Sequence, residues 1–254
     1  MTGLHYLRAR LVFYFYAIEK SPMLIDLHAK THHSDGVNVT PYQLLEQAQS
    51  AGLDAIALCE TLSSTRCREV LELAESDFED ISVFVGVEIP TDRGILLGFV
   101  PHIDEFYFNE EWSWLTHRTT PSADAVIDLF DGKNGIVVAA RPYDLDIPFN
   151  MGDHLFEFDR IGAVEVFNRR VGSIQNNFAL EAATFMNLGT TGGSDPIDQS
   201  DIGQYATFFE DDLSSQRLFV DAMRESEYWA VQIGNVSDTK GSKRSKKSRR
   251  SSRG

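Results

Sequence analysis

The segment from Asp26 to Gly36 has the residue types of a metal site, except that a lysine stands where a second histidine is expected. It reads Asp-Leu-His-Ala-Lys-Thr-His-His-Ser-Asp-Gly and overlaps the end of a strand-like run. Side chains two positions apart on a strand point to the same side, so a His-x-His pair can bind one ion. Here the first position is His28 and the second is Lys30. Because an ammonium group donates hydrogen bonds and does not ligate metals at neutral pH, the sequence predicts a reduced metal site.

Other polar residues follow the ends of apolar runs elsewhere in the chain. Glu88 ends one run, Arg141 follows another almost directly, and Ser194 and Asp195 come after a pair of glycines. In barrels built from alternating strands and helices, the reactive groups lie at the rim formed by the carboxyl ends of the strands. We therefore expect these side chains to share one site with His28 and Lys30.

Strand-like apolar runs alternate with helical patterns, which indicates βα units and a largely parallel sheet. The predicted strands are Leu24–Leu27, Ala55–Leu58, Val83–Glu88, Ile95–Val100, Ile136–Ala139, Ala163–Phe167, Thr190–Gly193, Tyr205–Phe209 and Tyr228–Ile233. The predicted helices are Pro41 to about Ala51 with Thr40 as N-cap, Thr65–Glu75, a helix capped by Ser122 that ends at Phe130, Ile174–Met186, and Ser214–Glu225.

Taken in order, the strand-end motifs resemble those of the polymerase and histidinol phosphatase (PHP) superfamily. The matching segments are Asp26-Leu-His-x-x-Thr with Ser34-Asp35-Gly36, Gly86-Val87-Glu88-Ile89, Ala140-Arg141-Pro142-Tyr143, Glu165-Val166-Phe167-Asn168 and Gly192-Gly193-Ser194-Asp195. The resemblance covers about residues 23–200 and identifies the chain as a divergent member. It implies an α/β fold, a distorted (β/α)7 barrel in a single domain, and a family chemistry of phosphoester hydrolysis with up to three divalent metals.

The resemblance also implies which metal ligands remain. Four positions keep a ligand, namely His28, Asp35, Glu88 and Asp195. Five imidazole positions of the family are filled otherwise, by Lys30, by Thr61 in the triplet Cys59-Glu60-Thr61, by a residue near Ile95, by Arg141 and by Ile197. Four ligands on separate loops suffice for one ion at most. The expected cofactor is therefore none, or one weakly held Mn, Zn or Fe ion.

Two of the replacements, Lys30 and Arg141, are cations. Carboxylates gathered for metals repel one another when the metals are lost, by about 4 kcal/mol at a separation of about 4 Å and an effective dielectric constant of about 20. We hypothesise that Lys30 and Arg141 substitute for the lost ions. The alternative is that Lys30 extends to solvent and that Arg141 pairs with Asp144 or Asp146.

Three functions are compatible with these residues. The first is a pseudoenzyme-like module that binds an anionic, phosphorylated small molecule at the barrel rim through His28, Lys30, Arg141 and Ser194. The second is a phosphoesterase with a one-metal centre, in which Arg141 and Lys30 are the catalytic side chains beside the ion. The third is a nucleic-acid-associated or ribosome-associated protein that acts through its basic tail, residues 237–254.

Several other residues are weaker candidates. Adjacent histidines such as His32 and His33 usually lie in solvent, and His154 is a lone histidine beside an aspartate. The segment Thr191-Gly-Gly-Ser194 presents backbone N–H groups to an anion or packs closely against another strand. Two further expectations concern side chains for which no catalytic role is expected. Cys59 and Cys67 are expected to be reduced thiols in or near the core, and Trp112 and Trp114 to belong to a surface lid or interface.

Charge divides the chain into a body and a tail. Residues 237–254 carry eight Lys or Arg and one Asp and are predicted to be a disordered tail. The remaining residues carry 15 basic and 37 acidic side chains, a net charge of -22, which disfavours nucleic acid binding by the body. Residues 1–22 are expected to be an extension, with Met23 as an alternative start, and 23–236 to be the barrel. No run is long enough to span a membrane, so a cytoplasmic location is expected.

Overall fold

The computed structural model describes residues 21–107, 110–116, 120–225 and 227–233. Within this part of the chain, nine strands form one sheet. They are β1 (Met23–Ala29), β2 (Ala55–Leu58), β3 (Ser82–Thr91), β4 (Gly94–Phe99), β5 (Ile136–Ala140), β6 (Ala163–Asn168), β7 (Gly189–Gly193), β8 (Tyr205–Phe209) and β9 (Tyr228–Gln232). The nine predicted strands are thus confirmed, with ends that differ by a few residues.

Seven α-helices connect the strands in the described residues. They are α1 (Pro41–Ser50), α2 (Arg68–Asp77), α3 (Ile103–Tyr107), α4 (Glu110–Thr116), α5 (Ala123–Asp131), α6 (Ser173–Met186) and α7 (Gln216–Glu225). Short 3₁₀ turns cover Thr65–Cys67, Gly152–Glu157 and Gln199–Asp201. None of the helices in this part of the chain combines the length and the apolar character that crossing a membrane requires.

The strand order shows a largely parallel barrel with two reversed strands. The order in the sheet is β7-β6-β5-β4-β3-β2-β1-β8-β9. Strand β4 is antiparallel to both β3 and β5, and β8 is antiparallel to both β1 and β9, while the other neighbouring pairs are parallel. Seven strands therefore point one way, so their carboxyl ends form one rim. The predicted distorted (β/α)7 barrel is confirmed.

The barrel is closed where β7 meets β1 and β8, by individual hydrogen bonds. The Gly192 N–H donates to the hydroxyl of Thr207, at 3.0 Å, and the Asp195 N–H donates to the carbonyl of His28, at 2.8 Å. Gly193 lies so close to His28 that an added Cβ would be 2.5 Å from the His28 Cβ. The Gly-Gly pair therefore permits this approach, which favours the close-packing interpretation of the segment over an anion-binding one.

Apolar side chains fill the barrel interior below the rim. Phe84 and Phe99 pack there against Phe219 of α7, with ring centroids 4.5 Å and 5.3 Å from that of Phe219. Because Phe84 lies near the start of β3, α7 covers the end of the barrel where the parallel strands begin. The polar rim is consequently the opposite, carboxyl end of these strands.

Two local predictions are confirmed and two are wrong. Thr40 and Gln43 form the capping box of α1, and both cysteines are free and buried. Ser122 stands at the predicted N-cap position of α5, but its side chain makes no capping bond; the Asp92 carboxylate accepts the Ala123 N–H at 2.9 Å. Trp112 is buried against Phe106 and Phe130 instead of lying on the surface.

Some expectations concern residues that the structure does not describe. The extension assigned to residues 1–22 lies outside the described residues except for its last two positions. The basic tail, residues 237–254, lies wholly outside them, as does any binding through it. These expectations therefore stay predictions.

Replacing Gly193 with alanine tests the closure of the barrel. The added methyl group would meet the backbone N of His28 at 2.6 Å as well as its Cβ, so either β1 or β7 must shift. We expect Gly193→Ala to lower the free energy of unfolding by about 2–4 kcal/mol, measured by urea denaturation. The control is Gly172→Ala, which meets only the end of the flexible Gln175 side chain and should cost about 1 kcal/mol or less. Equal effects of the two substitutions would contradict this account.

Candidate functional site

An irregularity in β1 directs the first motif into the barrel. Asp26 pairs with Ile56 and Ala29 with Leu58, so β1 has one more residue than β2 between these pairs. An extra residue reverses the alternation of side chains along a strand. The inward-facing residues of β1 that precede the irregularity fill the barrel interior. His28 and Lys30, which follow it, also point into this interior.

A second irregularity in β6 supplies partners for His28. Glu165 pairs with Thr191 and Phe167 with Gly192, so β6 has one extra residue relative to β7. The Glu165 carboxylate lies 2.9 Å from Nδ1 of His28, and Asn168 donates to the other oxygen of that carboxylate at 3.0 Å. The two side chains would face opposite ways on a regular strand, because three positions separate them.

Glu88 and Asp195 share one ammonium group. Lys30 Nζ lies 3.0 Å from Glu88 Oε2 and 2.6 Å from Asp195 Oδ1. Nε2 of His28 lies 3.0 Å from the same oxygen of Glu88, whose other oxygen accepts the Thr61 hydroxyl at 2.9 Å. Lys30 is only 3% exposed, so the alternative in which it extends to solvent does not describe this structure.

Arg141 connects three carboxylates at the rim. Its Nη1 pairs with Asp195, its Nε lies 3.2 Å from Asp144 Oδ2, and its backbone N–H donates to Glu165 Oε2 at 3.0 Å. Arg141 thus contacts Asp195 and also pairs with Asp144, as the alternative expectation for this residue had it. Arg141 and Asp195 also have positive φ angles, 34° and 39°. Such angles are uncommon for side chains other than glycine and persist where the surroundings hold them.

Arg170 is a third cation at Asp195. Its Nε lies 3.0 Å from Oδ1 and 3.0 Å from the carbonyl oxygen of that residue, and its Nη2 donates to the carbonyl of Pro196 at 3.3 Å. Asp195 is fully buried. Its charge is therefore surrounded by Lys30, Arg141 and Arg170.

These contacts change the proton affinity of His28. Burial alone lowers its pKa, but the negative charges of Asp195 and Glu165, with the hydrogen bonds to Glu165 and Glu88, outweigh burial and raise the pKa to about 9. Both ring nitrogens face carboxylates. The imidazole is therefore a cation at neutral pH in this arrangement.

The cations have the opposite effect on the carboxylates. Burial raises the pKa of Asp195, but the charges of His28, Lys30 and Arg141 outweigh it and hold the pKa at about 2. Burial likewise opposes ionisation of Glu88, yet the Lys30 charge and the His28 hydrogen bond lower its pKa well below the usual range. The centre is thus a network of ionised groups that neutralise one another.

Three residues of the centre have the donors of a metal site. One ligand atom from each of His28, Glu88 and Asp195 lies within 4.8 Å of the others. Imidazole and carboxylate suit Zn, Mn or Fe. Lys30 does not fit such an ion, because its ammonium contacts two of the three ligands. An ion bound there would have to displace it.

Not every predicted site residue lies at this centre. The Asp35 side chain is exposed and is not among the groups that gather around Glu88. Ser194 is buried behind the centre, where its N–H donates to Asp26 at 2.9 Å. His33 pairs with Glu69 in a partly exposed position. His32 and His154 are exposed on the surface.

Four residues of the network were not proposed as site residues from the sequence: Glu165, Asn168, Arg170 and Thr61. A signal for Glu165 exists, since a lone carboxylate stands within an otherwise apolar strand. Arg169 and Arg170 follow directly after β6, where rim residues are expected. Glu60, which also lies near the rim, accepts hydrogen bonds from Thr31 and Ser34 and is satisfied by them.

A pocket of about 470 Å³ opens above the centre at the rim. Three guanidinium groups and four carboxylates line it, with two isoleucines. They are Arg141, Arg169 and Arg170; Asp144, Asp146, Asp198 and Asp201; and Ile147 and Ile197. Its size suits a small molecule.

Comparisons with known proteins establish the fold. No protein-family profile matches the chain, and no curated protein matches it. A proposed metal-dependent phosphoesterase from Bifidobacterium adolescentis superposes with a TM-score of 0.57 at 19% identity, over 68% of this chain and 87% of that one. A two-domain protein from Bacteroides vulgatus, which contains a predicted PHP-like metal-dependent phosphoesterase, superposes with a TM-score of 0.57 at 18% identity. The superposition covers 84% of this chain and 65% of that one.

A third solved structure is an amidohydrolase from Chromobacterium violaceum with bound sulfate and no metal. It superposes with a TM-score of 0.53 at 14% identity, over 84% of this chain and 99% of that one. At these identities the likeness concerns the fold. The chain therefore shares the barrel fold of these structures.

Removing the Lys30 charge tests the network. Lys30→Met keeps most of the side-chain volume but leaves Glu88 and Asp195 without their shared cation. We expect it to lower the free energy of unfolding by about 3–5 kcal/mol in urea denaturation. The matched control is Lys133→Met, which breaks a surface pair with Glu111 (3.1 Å) and should cost less than about 1 kcal/mol. A small effect at both positions would disprove the role given to Lys30.

Proposed function

We propose that this protein is an anion-binding module on a PHP-type barrel, whose rim pocket takes a small phosphorylated or carboxylated molecule. The observation that carries the proposal is that Arg141, Arg169 and Arg170 line one pocket of about 470 Å³. Guanidinium groups bind phosphate and carboxylate through paired N–H donors. Three of them around one pocket of this size favour an anionic small-molecule ligand.

The arginines are held by the protein on one side. Arg170 contacts Asp195 through Nε and the carbonyl of Pro196 through Nη2. Nε of Arg169 pairs with Asp201, at 3.4 Å. Arg141 pairs with Asp195 through Nη1, and its Nε lies 3.2 Å from Asp144 without a hydrogen-bond partner. The remaining guanidinium N–H groups of the three arginines have no partner among the described residues. Donors that are already oriented lose less entropy on binding, so anchoring favours affinity.

The buried centre supports the pocket from beneath. His28 and Lys30 act on it indirectly, because they hold Asp195, which in turn holds Arg141 and Arg170. Since these cations neutralise Glu88 and Asp195 within the fold, we propose a pseudoenzyme-like role in which the centre orders the rim.

Anion binding is tested with inorganic phosphate and isothermal titration calorimetry. Arg169 is half-exposed, and its loss leaves the buried network intact. We expect Arg169→Gln to weaken phosphate binding by about tenfold, since a charge-assisted hydrogen bond is lost. Arg217→Gln is the matched control, because Arg217 pairs with Asp221 on α7 at the other end of the barrel. Equal affinities of the two variants would speak against the pocket.

The second candidate function is that of a metal-dependent phosphoesterase with one ion. It is favoured by the His28, Glu88 and Asp195 grouping and by the names of the neighbours from Bifidobacterium adolescentis and Bacteroides vulgatus. An ion there would supply Lewis-acid chemistry, with Arg141 placed to bind the substrate anion. The contacts of Lys30 with two of the three ligands weigh against it.

Elemental analysis of protein purified without chelator separates the two candidates. Because Lys30 competes for the ligands, we expect Mn, Fe and Zn well below one ion per chain, and no hydrolysis of 4-nitrophenyl phosphate. Stoichiometric metal that is lost in His28→Gln and kept in the surface control His154→Gln would establish the second candidate instead.

A further inference from the structure

We propose that the ligand of the rim pocket is a zwitterion, which carries an ammonium group as well as its phosphate or carboxylate. This inference rests on the proposed anion site and specifies its ligand class. The lining contains three arginines and four aspartates, so it carries charges of both signs. The lining therefore has a place for positive charge as well as for negative charge.

Three of the four aspartates are occupied by the protein itself. Asp144 accepts the N–H of Asp146 at 2.9 Å, and its Oδ2 lies 3.2 Å from Nε of Arg141 as an ion pair. Asp201 accepts the N–H groups of two neighbouring residues, at 3.0 Å and 3.1 Å, and pairs with Arg169. Asp198 forms a capping box with Asp201 at the short 3₁₀ turn. The carboxylates of Asp144 and Asp201 lie beside arginines, whereas Asp198 helps to fix the turn.

Asp146 differs from the other three. Its side chain is exposed at the pocket and has no hydrogen-bond or ion-pair partner among the described residues, although its backbone is fixed by the 2.9 Å bond to Asp144. A carboxylate on a fixed backbone, in a pocket with arginines, is placed to accept an ammonium group. Ile147 and Ile197 line the same pocket and offer apolar contact to a carbon chain that joins the two charges.

Long-range electrostatics favour the same class of ligand. Residues 1–236 carry a net charge of -22, so the body repels a free dianion during approach. A phosphate that also carries an ammonium group has one negative charge fewer and is repelled less. Its two ends can then be bound separately by the arginines and by Asp146.

The test compares two phosphates of similar size, O-phosphoethanolamine and ethyl phosphate, by calorimetry on the full chain. We expect O-phosphoethanolamine to bind about tenfold more tightly, because an ammonium–carboxylate hydrogen bond is added. In Asp146→Asn the two probes should bind equally, with ethyl phosphate no weaker than before. The control Asp80→Asn changes an exposed aspartate before β3, at the other end of the barrel, and should keep the preference. Circular dichroism verifies that both variants fold.

The outcomes separate this inference from the proposed function. Equal binding of both probes to the unmodified chain, with a loss in Arg169→Gln, overturns the zwitterion and keeps the anion site. Absence of binding by both probes overturns both proposals. A preference for O-phosphoethanolamine that persists in Asp146→Asn overturns the assignment of the ammonium partner.

Discussion

The burial of two facing carboxylates is the constraint on which the rim of this barrel depends. Glu88 is 4% exposed and Asp195 is 0% exposed. Taking such charges out of water costs several kcal/mol each unless well-placed partners compensate (about 20 kcal/mol in the idealised limit). Lys30 contacts both carboxylates, and His28 lies between Glu88 and Glu165. Because each ion is compensated by its neighbours, the network is stable as a unit. The loss of one member leaves the remaining charges buried without compensation.

The same network determines the rim pocket. Asp195 binds Lys30 below and Arg141 and Arg170 above, so the guanidinium groups are oriented by a charge that is itself buried. The positive φ angles of Arg141 and Asp195 are held by these contacts. The orientation of the pocket arginines and the stability of the fold are therefore coupled through one carboxylate.

Most of the fold could be predicted from the sequence, because it follows local patterns. Runs of apolar residues with turn residues between them located all nine strands, and the Thr40-Pro41 start located α1. The aromatic stretch around Trp112 could not be placed in the same way. Its burial depends on Phe106 and Phe130, which lie on other helices, and local hydrophobicity does not tell a lid from a core contact.

The sequence by itself predicted part of the chemistry of the site, namely the carboxylates of Glu88 and Asp195 and the cations Lys30 and Arg141, but not Glu165 or Arg170. Only the tertiary structure decided that one ammonium bridges Glu88 and Asp195, and that Asp35 stays outside. The irregularities in β1 and β6 decide which side chains face inward, and they arise from pairing with strands distant in the chain. Local alternation cannot encode such a shift, because it is a property of two strands and not of one.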